Sequence, residues 1–320
     1  MSYQIPDRKN EPNKVSVVIP VQDREGKIIR SVKSALNQTY KNIEVIVVDD
    51  GSKDRTYQIA SSIKDKRVRV IALENRYGVS KARNVGIKKS EGEFIAFLDS
   101  DDEWVKDKIE KQISYIRDYK RRIDIVDCDW YVIDEKNNVE LTKRQDGPTS
   151  EKKLLAFKHI CSPPTVVARR NALKEVGAFD ENISTAEDAD LWVRLSQKYE
   201  FGHVPEALVK VYRGHRRRLG RNLESFLRGH IRFYVKHRDK YEGEDKIKAK
   251  FFEVLSRKLI SMDEPVKGRQ YIFKSIRVHP FNISGYLILL ITFVSPKLRM
   301  KIKHIKNGFL KYVEDRIEGG

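Results

Sequence analysis

Only two of the 320 residues are cysteine, Cys128 and Cys161. Two thiols cannot build a disulfide framework, so a reducing compartment is the natural reading. They also lack metal-ligand spacing and are expected to be buried thiols. The first 14 residues, "MSYQIPDRKNEPNK", contain no apolar segment of the secretory-signal kind. A long hydrophobic run is missing as well. The one within "NISGYLILLITFVSPKLRMKIKHIK" (282–306) stops at about 13 largely apolar residues, where a membrane span needs about 20. No internal repeat and no low-complexity tract occurs, which sets aside solenoids and biased disordered chains. Acidic residues are scarce in the last third: positions 201–320 hold 27 Lys and Arg against 12 Asp and Glu, and so carry most of the formal net charge of +18. A segment of that kind favours phosphate-rich partners, namely nucleic acid, anionic lipid or phosphorylated substrates. A solvated basic surface is the plainer alternative.

What the chain does have is alternation. "KVSVVIPV" (14–21), "NIEVIVVDDGS" (42–52), "RVRVIAL" (67–73) and "EFIAFLD" (93–99) read as strands. Between them "GKIIRSVKSALNQ" (26–38), "DRTYQIASSIKDK" (54–66) and "GVSKARNVGIKKSEG" (78–92) carry helical stripes, with Asp54 suited to cap the second. Strand–helix alternation with short links predicts an α/β fold with a doubly wound, mostly parallel, Rossmann-like sheet. After residue 105 the pattern loosens. A helix is expected over 107–119, a strand over 123–134 closed by an "EKNN" turn, and a strand with a short helix over 162–181. A helix opened by capping residues follows over 184–198, then a strand over 207–215, and helices from 221 onward.

In such sheets the functional crevice lies beyond the carboxyl ends of the strands. Two acidic clusters fall there: Asp49 and Asp50 after the second strand, and Asp99, Asp101 and Asp102 after the fourth. Like charges this close repel, and burial makes that worse, so the cluster asks for a positive partner. A metal ion or nearby Lys and Arg would serve. The competing reading for the second cluster is a helix N-cap, for which one Asp suffices. For Asp50 it is an Asx-turn with Gly51 and Ser52.

The segments "VSVVIPV", "SALNQTYKNIEVIVVDDGSKD", "GVSKARNVGI" and "GEFIAFLDSDDEW", in this order and spacing, resemble the family 2 glycosyltransferases, which are inverting enzymes of the GT-A fold. The likeness covers about residues 15–105, and "AEDADLWVRL" and "VYRGHRR" extend it to about 217. It implies a nucleotide-diphospho-sugar donor, by family habit a UDP-sugar, and a divalent cation. Mg²⁺ or Mn²⁺ suits carboxylate and phosphate oxygens. By the same resemblance Asp99 and Asp101 form a D-x-D element, Asp101 lies near ribose or metal, and Asp102 is the expected direct metal ligand. Asp50 would face the nucleobase. Pro20, Val21 and Asp23 would line the donor side, although the family usually has an aromatic and then Asn after Pro-x, and Gln22 cannot stack on a base as an aromatic would. Lys81, Arg83 and Asn84 fall where the family keeps basic and amide residues near the donor, and Arg83 is expected against a phosphate or Asp101. Glu187 and Asp188 match the acidic pair at the acceptor mouth, with Asp188 as general base; a charged first helical turn is the structural alternative. Trp192 is either an acceptor wall or core. His215, among Arg213, Arg216, Arg217 and Arg218, would complete the diphosphate and metal shell.

The expected function is therefore sugar transfer to a hydroxyl of a glycan, lipid-linked saccharide or surface polymer. A metal-dependent nucleotidyltransferase and a phosphate- or nucleic-acid-binding module are the alternatives, the latter leaving the acidic crevice unexplained. Residues 1–105 would form the nucleotide-sugar half of the catalytic domain, 106–220 the acceptor half, and 221–320 a basic helical region. The expected location is the cytoplasm, with segment 282–306 attached peripherally to the anionic inner face of the plasma membrane or else closing a C-terminal bundle.

Overall fold

The computed structural model describes residues 13–119, 122–143, 149–157, 161–212 and 223–293. The chain divides into two compact units after Lys236, with Leu155–Phe157 grouped with the second.

The first unit opens with β1 (Val15–Val21), α1 (Ile28–Leu36), β2 (Ile43–Asp49), α2 (Thr56–Ser61), β3 (Val68–Ala72), α3 (Val79–Lys89) and β4 (Phe94–Phe97). It continues with β5 (Glu103–Trp104), α4 (Lys108–Asp118), β6 (Ile125–Ile133), β7 (Val139–Thr142), α5 (Glu151–Leu155), β8 (Val167–Arg169), α6 (Arg170–Glu175), α7 (Glu187–Ser196), β9 (Phe201–Tyr212) and α8 (Leu223–Lys236). The strands form one nine-stranded sheet in the order β3-β2-β1-β4-β8-β6-β9-β5, with β7 hairpinned onto β6.

β1, rich in Val and Ile, is buried along its whole length, as expected of a strand covered on both faces. It pairs in parallel with β2 (Val18 opposite Ile46) and with β4 (Val18 opposite Phe97). α3 packs on it at Gly86, where a Cβ would run into the Val18 side chain. Beyond β4 the direction reverses. β8 is antiparallel to β4 and to β6, β9 is parallel to β6, and β5 is antiparallel to β9. The sheet is thus parallel on the side of β1–β4 and mixed on the other. One apolar core, including Ile19, Val47, Phe94, Ile113, Val126 and Val209, runs beneath both parts. Residues on either side of 105 therefore share a core, and α8 belongs with them, which moves the expected boundary from 220 to 236. Cys128 and Cys161 are buried thiols, not joined to one another.

The second unit contains α9 (Asp245–Ser261), α10 (Pro265–Val278) and α11 (Ile283–Phe293). Its core holds Tyr241, Phe251, Leu255, Leu259 and Ile272, and the Tyr241 hydroxyl donates to the Leu155 carbonyl at 2.9 Å.

Candidate active site

The carboxyl ends of β1, β2 and β4 lie side by side and carry the acidic residues. Asp49 accepts the Ser52 N–H at 2.7 Å, so it makes the Asx-turn that the sequence offered to Asp50. Asp50, buried, uses both oxygens on the next loop, accepting the N–H groups of Tyr77 (2.7 Å) and Gly78 (2.8 Å). Asp23 sits at φ 50°, a conformation its short polar side chain tolerates. It accepts the Lys53 N–H (2.8 Å) and pairs with Arg76 (2.5 Å). Together these bonds stitch three loops around an open groove lined by Asp49, Gly51, Ser52, Tyr57, Asn75 and Arg76. Pro20 and Val21 are buried strand residues, and the Val21 carbonyl is taken by the Asp50 N–H, so they supply the edge of the crevice rather than exposed side chains.

The three carboxylates after β4 part company. Asp99 pairs with Arg83 at 3.0 Å. Asp102 is buried; its Oδ1 accepts the Tyr212 N–H at 3.1 Å and its carbonyl accepts the Ser31 hydroxyl at 2.8 Å, so it anchors the end of β9 and α1. Asp101 keeps about a third of its side chain exposed (32%) and faces Arg24 at 3.8 Å. Asp102, the expected direct metal ligand, is thus held through one oxygen by a backbone donor from a strand 110 residues away, and Asp101 is the more exposed of the two.

Arg83 is corrected in its partner. Its guanidinium, only 5% exposed, bridges Asp99, just after β4, and Glu187 (3.2 Å), at the start of α7, instead of meeting Asp101. Its Nε is buried without a hydrogen-bond partner among the described residues. Phe179, edge-on to Phe97, lies under the guanidinium at 5.2 Å. Asn84 holds that loop by accepting the Phe179 N–H (3.0 Å) and donating to its carbonyl (2.9 Å), while Lys81 pairs with Glu181 at 3.2 Å.

α7 starts on Ala186 in the left-handed region (φ 69°), without a side-chain cap. The Thr185 hydroxyl, expected to cap it, donates instead to the Ser225 carbonyl of α8 at 3.0 Å. The first turn then presents Glu187 and Asp188. Burial, and after it the neighbouring Asp188 charge, push the Glu187 carboxyl up to about 7 against the pull of Arg83. Burial likewise raises Asp188, opposed by the Ala189 N–H (2.7 Å) and Arg83 and assisted by Asp99. A proton acceptor tuned upward in a crevice is what general-base chemistry needs. The sign for stability follows from a folded-state pKa above the unfolded one. Glu187 favours folding while protonated, and that contribution is lost as pH rises from the ordinary carboxylate range to about 7. The thermal midpoint is expected to fall across that window, and Glu187→Gln to flatten the fall; identical profiles for the two proteins would contradict it.

One turn on, Asp190 is fully buried and neutralised by Arg194 (2.7 Å) and Lys236 (2.9 Å), which fastens α7 to α8. Trp192 is also fully buried and donates its indole N–H to the Cys161 carbonyl at 2.8 Å. It belongs to the core and forms no acceptor wall. Trp192→Ala is expected to cost about 3–5 kcal/mol of unfolding free energy, measured by denaturant titration; an unchanged midpoint would contradict this placement.

Sequence reasoning did not single out Arg24 and Arg30. Arg30 donates to the Asp101 carbonyl at 2.5 Å and stacks on Tyr212 at 3.7 Å. "VQDREGK" was the available signal, a charged loop directly after β1. His215 and Arg213, Arg216, Arg217 and Arg218 lie outside the described residues. Among the described residues no three His, Cys, Asp or Glu side chains converge as a metal cage. Mg²⁺ in phosphate chemistry commonly takes one or two carboxylates plus substrate oxygens rather than such a cage. The outward oxygens of Asp101 fit that role.

Solved structures share the fold. Staphylococcus aureus TarS 1-349, crystallised with UDP-GlcNAc, aligns with a TM-score of 0.65 at 22% identity, over 83% of this chain and 81% of that one. The architecture is thus of the GT-A type, with a helical C-terminal region. The chain belongs to glycosyl transferase family 2, whose profile matches residues 16–177. A glycosyltransferase of Rickettsia felis is 36% identical over 201 residues, 62% of this chain and 33% of that protein. Escherichia coli WfaP, a UDP-Glc:alpha-D-GlcNAc-diphosphoundecaprenol beta-1,3-glucosyltransferase, is 46% identical over 108 residues, 33% of this chain and 42% of WfaP. This chain therefore spans about a third to two-fifths of the length of these two relatives.

Proposed function

We propose that the protein transfers a hexose from a UDP-sugar to a hydroxyl of a lipid-linked saccharide, with inversion, at the inner face of a membrane. The observation that carries this reading is the Arg83 bridge. It ties the D-x-D carboxylate Asp99 to Glu187, so that a donor-side group and an acceptor-side pair with upward-shifted pKa values face one crevice. The donor and acceptor classes rest on the names of WfaP and of a second Escherichia coli relative, WfgD, which carries the same activity description.

In this reading Asp101, with the donor diphosphate, holds Mn²⁺ or Mg²⁺, which supplies charge neutralisation as the leaving group departs. Arg24 and Arg30 flank the diphosphate. Asp50 braces the 75–78 loop and, with Asp23 and Lys81, frames the nucleotide; His215 completes the phosphate side. Asp188 takes the acceptor proton while Glu187, held by Arg83, orients it. The second unit serves attachment rather than chemistry.

The test is a donor panel with Mn²⁺ and a GlcNAc-diphospho-lipid acceptor, read as nucleoside diphosphate release. Acceptor-dependent release from one UDP-hexose is expected. Release of hexose 1-phosphate instead of nucleoside diphosphate would mean nucleotidyl transfer, and absence of turnover with every donor would overturn the reading.

A further inference from the structure

α11 reads "ISGYLILLITF", without a charged side chain. Eleven residues span about 16 Å, half of a bilayer core, and among the described residues no helix is long and apolar enough to cross a membrane. A helix so apolar would normally be buried on all sides, yet only Gly285, Ile288 and Thr292 are buried. Ile283, Tyr286, Leu287, Leu290 and Phe293 lie open to solvent, each at least 46% exposed, and Phe281 just ahead of the helix is 85% exposed. Their spacing puts the helical five on one side of α11. Contiguous apolar surface of this kind marks an interaction site rather than chance exposure.

The surroundings select the partner. α10 runs beside α11: Ile276 lies at Gly285, and the Arg269 guanidinium stacks over Phe293 at 4.5 Å. Exposed Phe273 follows Arg269 by four residues and precedes Arg277 by four, so one side of α10 alternates cation, aromatic ring and cation. Neither helix contains an acidic residue. The sequence after Phe293 adds Lys297, Arg299, Lys301, Lys303, Lys306 and Lys311 before the next carboxylate, Glu314. An apolar strip bordered by cations and free of anions is complementary to a lipid surface with negative headgroups, where acyl chains take the strip and phosphates the cations.

We propose that the α10–α11 face is a docking surface for anionic bilayers, with Phe281, Leu287 and Leu290 entering the acyl boundary and Arg269 and Arg277 at the headgroups. This extends the lipid-linked acceptor reading without depending on the donor assignment. The experiment is co-sedimentation of the full chain with phosphatidylcholine vesicles, with and without phosphatidylglycerol, at low and high salt. Binding is expected only with the anionic lipid and should weaken with salt. Leu287→Asp/Leu290→Asp should lower partitioning by about tenfold or more, at unchanged melting temperature and unchanged turnover on a water-soluble acceptor. Arg269→Glu/Arg277→Glu should reduce the preference for anionic vesicles. The proposal is overturned if the native chain stays in the supernatant with anionic vesicles at low salt. It is also overturned if the leucine variant sediments like the native chain, or if that variant only splits a lipid-free dimer. Vesicle binding by a preparation without transferase turnover would uphold the docking surface and overturn the transferase reading.

Discussion

Asp188→Asn is expected to lower turnover by about 10²–10⁴, the usual share of general-base catalysis, with donor affinity unchanged. The substitution keeps size and hydrogen-bonding capacity but removes the proton-accepting oxygen. The Ala189 N–H that Asp188 accepts at 2.7 Å can still be accepted by the Asn carbonyl, so the start of α7 survives. Burial and the nearby Asp99 charge raise the native carboxyl, and each makes it a stronger base once ionised. The loss should therefore appear in kcat at pH values where the native carboxyl is ionised, and narrow as pH falls and that carboxyl is protonated. A variant with native kcat would reduce Asp188 to a helix-start residue.

Asp101→Ala is expected to abolish metal-dependent turnover, by at least about 10³-fold, because several kcal/mol of leaving-group stabilisation go with the cation. Melting temperature should hold, since among the described residues the Asp101 side chain meets Arg24 alone, at 3.8 Å. Asp102→Ala should behave differently. It leaves the Tyr212 N–H without its acceptor, a cost of about 1–3 kcal/mol visible as a lower melting temperature. Native activity in the Asp101 variant, or full stability with complete inactivity in the Asp102 variant, would exchange their roles. Isothermal titration of Mn²⁺ in the presence of UDP reads the same difference without turnover.

Much of the first hundred residues was legible because each element there satisfies one period. β1, β2 and β4 are dominated by Val, Ile and Phe, as strands covered on both faces are, and α1 and α3 carry apolar stripes. Strand direction beyond β4 was not legible, since no side-chain period encodes parallel against antiparallel. β9 begins at Phe201, six residues before its expected start at 207, because "HVPEA" reads as a strand breaker. The structure accommodates Pro205 and Glu206 at a register shift against Asp129, where a missing N–H costs no ladder bond. β5 is two residues long and exists only through its pairing with β9.

At the site, residue types were readable and their pairings were not. Asp99, Asp101 and Asp102 look alike in a row. What separates them is Arg83, Arg24 and the Tyr212 backbone, the last 110 positions away. The Arg83–Glu187 contact spans 104 positions and leaves no local trace. Asp54 is a nearer case: expected as the cap of the second helix, it lies one residue before the N-cap, Arg55, and accepts the Thr56 N–H at 2.9 Å, a local turn rather than a cap bond.

The most direct measurement is the anomeric configuration of the product by NMR, after reaction of an α-linked UDP-hexose with a GlcNAc-diphospho-lipid. A single in-line displacement, with Asp188 taking the proton opposite the departing diphosphate, must give a β-linked product. An α-linked product would require a second displacement and a covalent nucleophile, and would contradict the account.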